Sequence, residues 1–593
     1  SIKANYDDTV DIKYKDVKDC YFGFPFDFKQ ANETIESLKG IYNNFFVYLD
    51  QSKEKAQDGF SFTPIDLIAE LDALLNKNYN NEFEFFSNIT QIIVDLKDAH
   101  TTFKPSCYNA FTFRQTIRLY SSVDTNVYSD NQDPSNNGCE VTHIDGYPAL
   151  KAIINYADKY IRKSRDPGVR FNMALTSLKL KNSNNGTFDI YDGDFAYNSR
   201  FPDAENIAYD LNCSNTIKKI KRSWIITHNE NLNKKIKDFY NFTDSKSYYE
   251  SICLKPKIVP TNNFKGDLFG LPTSYLKLEN SEITITGDII GNVSNFATFI
   301  KLNETGVVVI PTFEPESFFV NSNSLLTQLT TLFDLMNKSG VKKVVFDFIN
   351  NGGGYILLSQ YFNELIFPQS RVAFPRDMKI NDVTTFLLKQ SDNLNLQLPN
   401  FSPKLELSYT TGVPFNNLDE FIGNKSFMRG SITTKYSSLF NEIFDITFFA
   451  NWKFPWTNKD IIILTNGACG SSCAQTAQYL SEQAKIATVS VGGLFNSNMS
   501  YSSFPGGNVV LIDNLFNEIN QIINTTTDHP KIPKNLNITM YSFGLSFSEA
   551  YSIEFPNLIS EFMYRPANYR LYYDDKCIYD PSLLWLQAAK FIS

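Results

Sequence analysis

Two serines and a scarce base are the first residues of this sequence that could do chemistry. The segment Ile463-Leu-Thr-Asn-Gly-Ala-Cys-Gly-Ser471-Ser472-Cys473 sets serine where an apolar run gives way to a turn and then a helical pattern. Serine between a strand end and a helix start sits among free N–H groups and the positive end of the helix dipole. Both favour an attacking alkoxide and a tetrahedral oxyanion. The same position suits an N-cap, the ordinary use of serine there. Cys469 and Cys473 flank Ser471, so the segment is not a Gly-x-Ser-x-Gly elbow. A second loop, Asp347-Phe-Ile-Asn-Asn-Gly352-Gly353-Gly354, offers consecutive glycine amides, either as an anion-holding nest or as a tight connection. A serine nucleophile also needs a general base. Histidine occurs only at positions 100, 143, 228 and 529. His100, past a long helical stripe and before the extended Thr101-Thr-Phe, is the best placed, while His529 lies in a polar loop and any of the four could be surface. The histidines make no metal-ligand spacing and no cysteine pairs form a zinc pattern, so neither metal nor cofactor is expected.

These residues need elements to hold them. In the first hundred residues Phe85, Phe86, Ile89, Ile92, Ile93 and Leu96 recur at helical spacing and end at Asp98-Ala99-His100. Residues 101–300 are β-rich and Asn/Gly-punctuated; within them Val141–Leu150 reads as a strand, an Asp-Gly turn and a helix from Pro148. From Gly306 strands and helices alternate: strands at 306–312, 341–348, 460–464 and 485–491, helices at 324–337, 355–366 and 473–483, and an irregular insertion at about 367–457. That alternation predicts a largely parallel sheet covered by helices, with chemistry at the loops leaving the carboxyl ends of its strands. Both glycine loops have that position. The reading divides the chain into a helical region 1–104, a β-rich region 105–300 and an α/β core 301–593.

At 593 residues the chain exceeds one hydrophobic core, and about 150 residues per domain suggests three or four units. With 42% hydrophobic and 20% charged residues it is globular, and a net charge of −9 argues against a nucleic-acid partner. No run approaches the roughly 18 apolar residues of a membrane span. Eight scattered cysteines fit a few bridges in a large secreted protein, and thirteen Asn-x-Ser/Thr sequons tilt the same way. The opening SIKANYDDTV has neither the basic nor the apolar region of a signal peptide, which fits a trimmed mature form as well as a cytosolic origin; secretion is the favoured reading.

Three separated segments resemble the tail-specific (C-terminal processing) serine peptidases, on the secreted branch of the chlamydial protease-like activity factor and its fungal relatives. They are Leu96-Lys-Asp-Ala-His100-Thr, Val344-Val-Phe-Asp-Phe-Ile-Asn-Asn-Gly-Gly-Gly and Ile463–Cys473, supported by Val491-Gly-Gly, Phe504-Pro-Gly-Gly and Tyr564–Tyr573. The likeness covers about residues 60–105 and 305–575. It implies a crotonase-like α/β core with an N-terminal helical cap and, at Glu140–Ala152, a piece of a PDZ-like module. It implies a secreted endopeptidase acting through an acyl-enzyme. Ser471 would be the nucleophile, His100 the base, and the Ser472 and Gly353 amides the oxyanion hole. Where many relatives carry a lysine base this chain has Asn496, and no lysine or arginine lies between Lys485 and Lys531. A late glutamate should orient the imidazole; of Glu518, Glu549, Glu554 and Glu561, Glu549 is preferred and Glu554 second. Glu518 reads as a solvated charge and Glu561 as the start of a terminal strand. Activity should rise with pH through the usual histidine range. The expected partners are protein or peptide substrates, with a second copy of the chain left open. A silent protein- or carbohydrate-binding scaffold, or an esterase or acyltransferase using the same serine, are the alternatives.

Overall fold

The computed structural model describes residues 12–592 except 123–124, 183–185, 234–243, 255–282, 294–295, 316–321, 369–373, 430–431, 443–451 and 525–529. At its centre is a seven-stranded sheet in the order Asp288–Val293, Ala297–Leu302, Thr305–Val309, Lys343–Asp347, Ile461–Thr465, Ala487–Val491, Tyr569–Leu571. The first two pairings are antiparallel and the other four parallel. Successive side chains on a strand face opposite ways, so a sheet covered on both sides reads as an unbroken apolar run. The Ile461–Thr465 strand shows this. Ile461 and Ile463 pack with the helices Ser322–Lys338, Ile356–Ile366 and Ser472–Glu482. Ile462 and Leu464 pack on the other face against Leu584 and Trp585 of the helix Pro581–Ala589.

The amino-terminal helices Tyr14–Phe22, Phe28–Phe45, Leu67–Leu74 and Glu82–Asp95 bury the expected stripe. The last three share one core with residues from 378–440 and 510–547, including Leu387, Tyr436, Leu515 and Leu545. The chain leaves Glu82–Asp95 through His100 into the strand Thr102–Pro105, which pairs antiparallel with Met540–Ser546, Thr102 opposite Gly544. That pairing carries His100 to the carboxyl-terminal half. The expected strand, turn and helix near 141–150 are the strand Glu140–Ile144, the left-handed Asp145 and Gly146, and the helix Ala149–Tyr160.

Residues expected to be irregular contain order. Arg376–Ile380, Lys425–Arg429 and Ile432–Tyr436 belong to a small sheet, and Ser548–Ala550 pairs with the first, setting Asp377 opposite Glu549. These strands are short and polar on one side, so their sequence lacks the apolar run that marks the central ones. Near Glu561 the expected strand is a 3₁₀ turn, Ser560–Phe562, and the last strand comes later at Tyr569–Leu571. Disulfides join Cys107 to Cys253, Cys139 to Cys213 and Cys469 to Cys473, while Cys20 and Cys577 are free and buried. Among the described residues no helix is long and apolar enough to cross a membrane.

Candidate active site

Ser471 ends the loop after the Ile461–Thr465 strand and caps the helix Ser472–Glu482 with φ +52° and ψ −126°. That conformation costs a non-glycine residue about 1–3 kcal/mol and is retained where the surroundings over-determine it. Several contacts do so here. Ser471 N–H donates to Phe504 O at 2.9 Å, Gly470 N–H donates to Asn351 O at 3.0 Å, and the Cys469–Cys473 disulfide closes the loop around the serine. Gly470 is required by close approach, since a Cβ there would stand 1.9 Å from Phe504 Cζ. Gly470→Ala is therefore expected to push Phe504 aside and tilt the serine turn, lowering kcat/KM at least tenfold while KM moves little. Steady-state kinetics of the purified variant check this.

Ser471 Oγ lies 3.2 Å from His100 Nε2, across 371 residues of chain. His100 is buried, and Phe504 meets its ring edge-on at 5.5 Å. Burial pushes the imidazole down to about 4, with Arg162 adding to the shift and Asp98 opposing it. At neutral pH it is an uncharged base beside a hydroxyl, the state that general-base catalysis needs. The usual histidine range expected from sequence thus shifts downward, because the ring has lost the water that would solvate its cation.

Behind the ring lies a carboxylate that sequence reading left without a role. Asp98 is fully buried; its Oδ1 accepts from His100 N–H at 2.9 Å and lies 4.0 Å from His100 Nδ1. Its Oδ2 accepts from Thr101 Oγ1 at 2.6 Å and Ser546 Oγ at 2.9 Å. The two-residue spacing of Asp98 and His100, which lets a carboxylate bind a following amide, was its available signal.

The candidate glutamates separate clearly. Glu549 is buried with its carboxylate aimed at Arg429, and it also accepts from Tyr551 Oη at 2.7 Å and Gln51 Nε2 at 3.1 Å. An ion pair with Arg429 inside the small sheet holds the carboxylate that was the first choice from sequence. Glu554 pairs with Lys485 at 3.2 Å on the surface. Glu518 is buried rather than solvated and accepts from Asn400 N–H and Nδ2. Glu561 is buried, paired with Arg165, and accepts Gly506 N–H at 3.1 Å. Gly506 passes over the imidazole so closely that a Cβ there would fall 2.5 Å from His100 Cε1. Burial pushes the Glu561 carboxyl up to about 7, against the pull of Arg165. Of the other histidines, His143 is exposed, His228 lies against Phe111, and His529 falls outside the described residues.

The two glycine loops are latched together. Asn350 N–H donates to Asn466 Oδ1 at 3.2 Å and Asn466 Nδ2 returns to Asn350 Oδ1 at 2.7 Å. Gly353 lies against the serine turn, where a Cβ would be 2.7 Å from Ser471 Cβ. Its amide, however, donates to Asn351 Oδ1 at 2.9 Å. The Ser472 and Gly352 amides have no acceptor among the described residues. The asparagine side chain thus closes the turn on the Gly353 amide, the donor expected from sequence. No group of three or more His, Cys, Asp or Glu among the described residues could hold a metal ion.

No family model matches the chain, and no curated protein does. Among solved structures, mature CPAF, the chlamydial protease-like activity factor, aligns with a TM-score of 0.54 at 11% identity, over 95% of this chain and 96% of that one. Mature CPAF complexed with lactacystin aligns with a TM-score of 0.54 at 12% identity, over 95% of this chain and 98% of that one. The chain shares their mixed α/β fold from end to end; at such identity the likeness is one of fold.

Proposed function

We propose that the chain is a secreted serine endopeptidase with a crotonase-like core, a helical cap at 1–104 and a middle region, 105–300, that includes a PDZ-like piece. The observation that carries the catalytic reading is the 3.2 Å contact between Ser471 Oγ, at the start of the helix Ser472–Glu482, and Nε2 of the buried His100. His100 Nε2 takes the Ser471 proton as Oγ attacks the scissile carbonyl carbon. The tetrahedral oxygen accepts hydrogen bonds from Ser472 N–H and from Gly352 N–H, which replaces Gly353 in this reading. The imidazolium returns its proton to the leaving amine, and water then resolves the acyl-enzyme by the same two transfers. Asp98 and Glu561 are positioning residues: the buried Asp98 carboxylate, 4.0 Å from Nδ1, stabilises the imidazolium and favours the tautomer with Nε2 open to serine, while Glu561 holds Gly506, which passes over the ring. The fold shared with CPAF, the chlamydial protease-like activity factor, supports the reaction class. Three disulfides support an oxidising compartment.

A fluorophosphonate probe tests the reading. One adduct per chain is expected by intact mass, mapped to Ser471. Adduct on Ser472, or none on folded protein, would overturn it, and turnover of esters but not peptides would move the function to an esterase.

A further inference from the structure

A cavity of about 560 Å³ opens beside the nucleophile at Gly352, Ala468 and Phe504 and extends to the amino-terminal helices. Phe22, Phe83, Tyr108 and Phe201 line its far part. Their rings touch, with centroids 4.7 Å apart for Phe22 and Phe83, 5.2 Å for Phe83 and Tyr108, and 5.6 Å for Phe22 and Phe201. Such a wall offers faces and edges to a further aromatic ring, and the volume suits a few side chains rather than a folded domain.

The charge around this wall opposes that of the chain. Lys18, Lys104, Lys159, Arg162, Lys163 and Arg200 line the cavity against only Asp194 and Asp203, so six minus two gives +4. The whole chain carries −9. Lys18 and Lys159 are exposed, and among the described residues neither has a carboxylate within ion-pair distance. Ammonium groups at the mouth of an apolar cleft act through its low-dielectric wall, which strengthens their field on a ligand and attracts anions toward the site.

We infer that the site selects protein segments in which aromatic residues are interspersed with acidic ones, an inference that rests on the peptidase reading above. The aromatic side chain fills the Phe22–Phe201 wall and the carboxylates face Lys18 and Lys159. A lysine-flanked segment of the same length meets like charge and is disfavoured.

Binding to the Ser471→Ala protein tests this without turnover. Three dye-labelled peptides share a phenylalanine-containing core and carry two flanking Glu, Gln or Lys residues; fluorescence anisotropy gives each Kd. The Glu peptide is expected to bind at least tenfold more tightly than the Lys peptide at low ionic strength, with the gap shrinking in about 1 M salt. Exchanging the core phenylalanine for serine should weaken the Glu peptide severalfold. Adding Lys18→Glu and Lys159→Glu should erase the Glu-over-Lys preference, with circular dichroism confirming the fold. Equal affinities, a preference for the Lys peptide, or a preference that survives in the folded charge-reversed protein would overturn the inference. Equal affinities alongside probe labelling of Ser471 in the wild type would leave the peptidase reading standing. A Glu preference in a chain that the probe does not label would support the cleft chemistry and remove the peptidase.

Discussion

Replacing Ser471 by alanine is expected to lower kcat by about 10⁶, the loss seen when the nucleophile of a comparable triad is removed. Ser471 Oγ is the hydroxyl 3.2 Å from His100 Nε2, so its removal takes away the atom placed for attack. Ser472 is the control. Its Oγ is buried with no hydrogen-bond partner among the described residues, and its N–H survives the change to alanine. Ser472→Ala should therefore stay within about tenfold of wild type and at least as stable, since removing an unsatisfied buried hydroxyl relieves a desolvation cost of about 1–3 kcal/mol. Peptide hydrolysis and thermal denaturation of both variants are the measurements. Equal inactivation of the two would place the nucleophile one residue along.

The second large effect concerns the base and its dependence on pH. His100→Ala should be as inactive as Ser471→Ala. In the wild type only the neutral imidazole accepts the serine proton, so kcat/KM should fall as pH drops through about 4, not through 6.5. The sign for stability agrees. The folded imidazole holds its proton less tightly than the unfolded one, so between 6.5 and about 4 the unfolded state binds more protons and stability declines as pH falls. Glu561, raised to about 7, predicts a second and smaller rise in rate near that pH, as its ionised carboxylate accepts more strongly from the Gly506 amide that passes over the imidazole. Glu561→Gln should abolish that upper rise and lower kcat by up to about 10²-fold, the scale of a slightly misplaced catalytic group, because Gly506 shifts over the ring. Glu549→Gln should keep both limbs. Its loss is one of stability, about 3–5 kcal/mol, because Arg429 is left as a buried charge without its partner. A pH–rate profile with one limb near 6.5, or an unchanged upper limb in Glu561→Gln, would reject the assignment.

Much of the frame that carries these groups was legible before any coordinates. The strands at 305–309, 343–347, 461–465 and 487–491 and the helices between them fall within a few residues of where the apolar pattern sets them. A strand buried on both faces and a helix buried on one announce themselves in a dozen consecutive residues. Ser471 at a helix start was equally legible, because capping and turn chemistry are local. The sequence also reported what neighbours cannot hide, such as the absence of a lysine between Lys485 and Lys531.

Where each buried carboxylate finds its partner was not legible, and the reason is distance along the chain. Glu549 and Glu561 are twelve residues apart in similar local settings. Arg429, 120 residues before the first, draws it away, while Arg165, 396 residues before the second, fixes it at Gly506. Likewise, Gly353 carries an amide like that of Gly352 until Asn351 folds back on one of them. The sequence by itself determined the elements, the position of Ser471 at a helix start and the scarcity of bases. Only the tertiary structure decided the partners, because a buried charge goes where its counter-charge is packed, and packing brings together residues that no local pattern links.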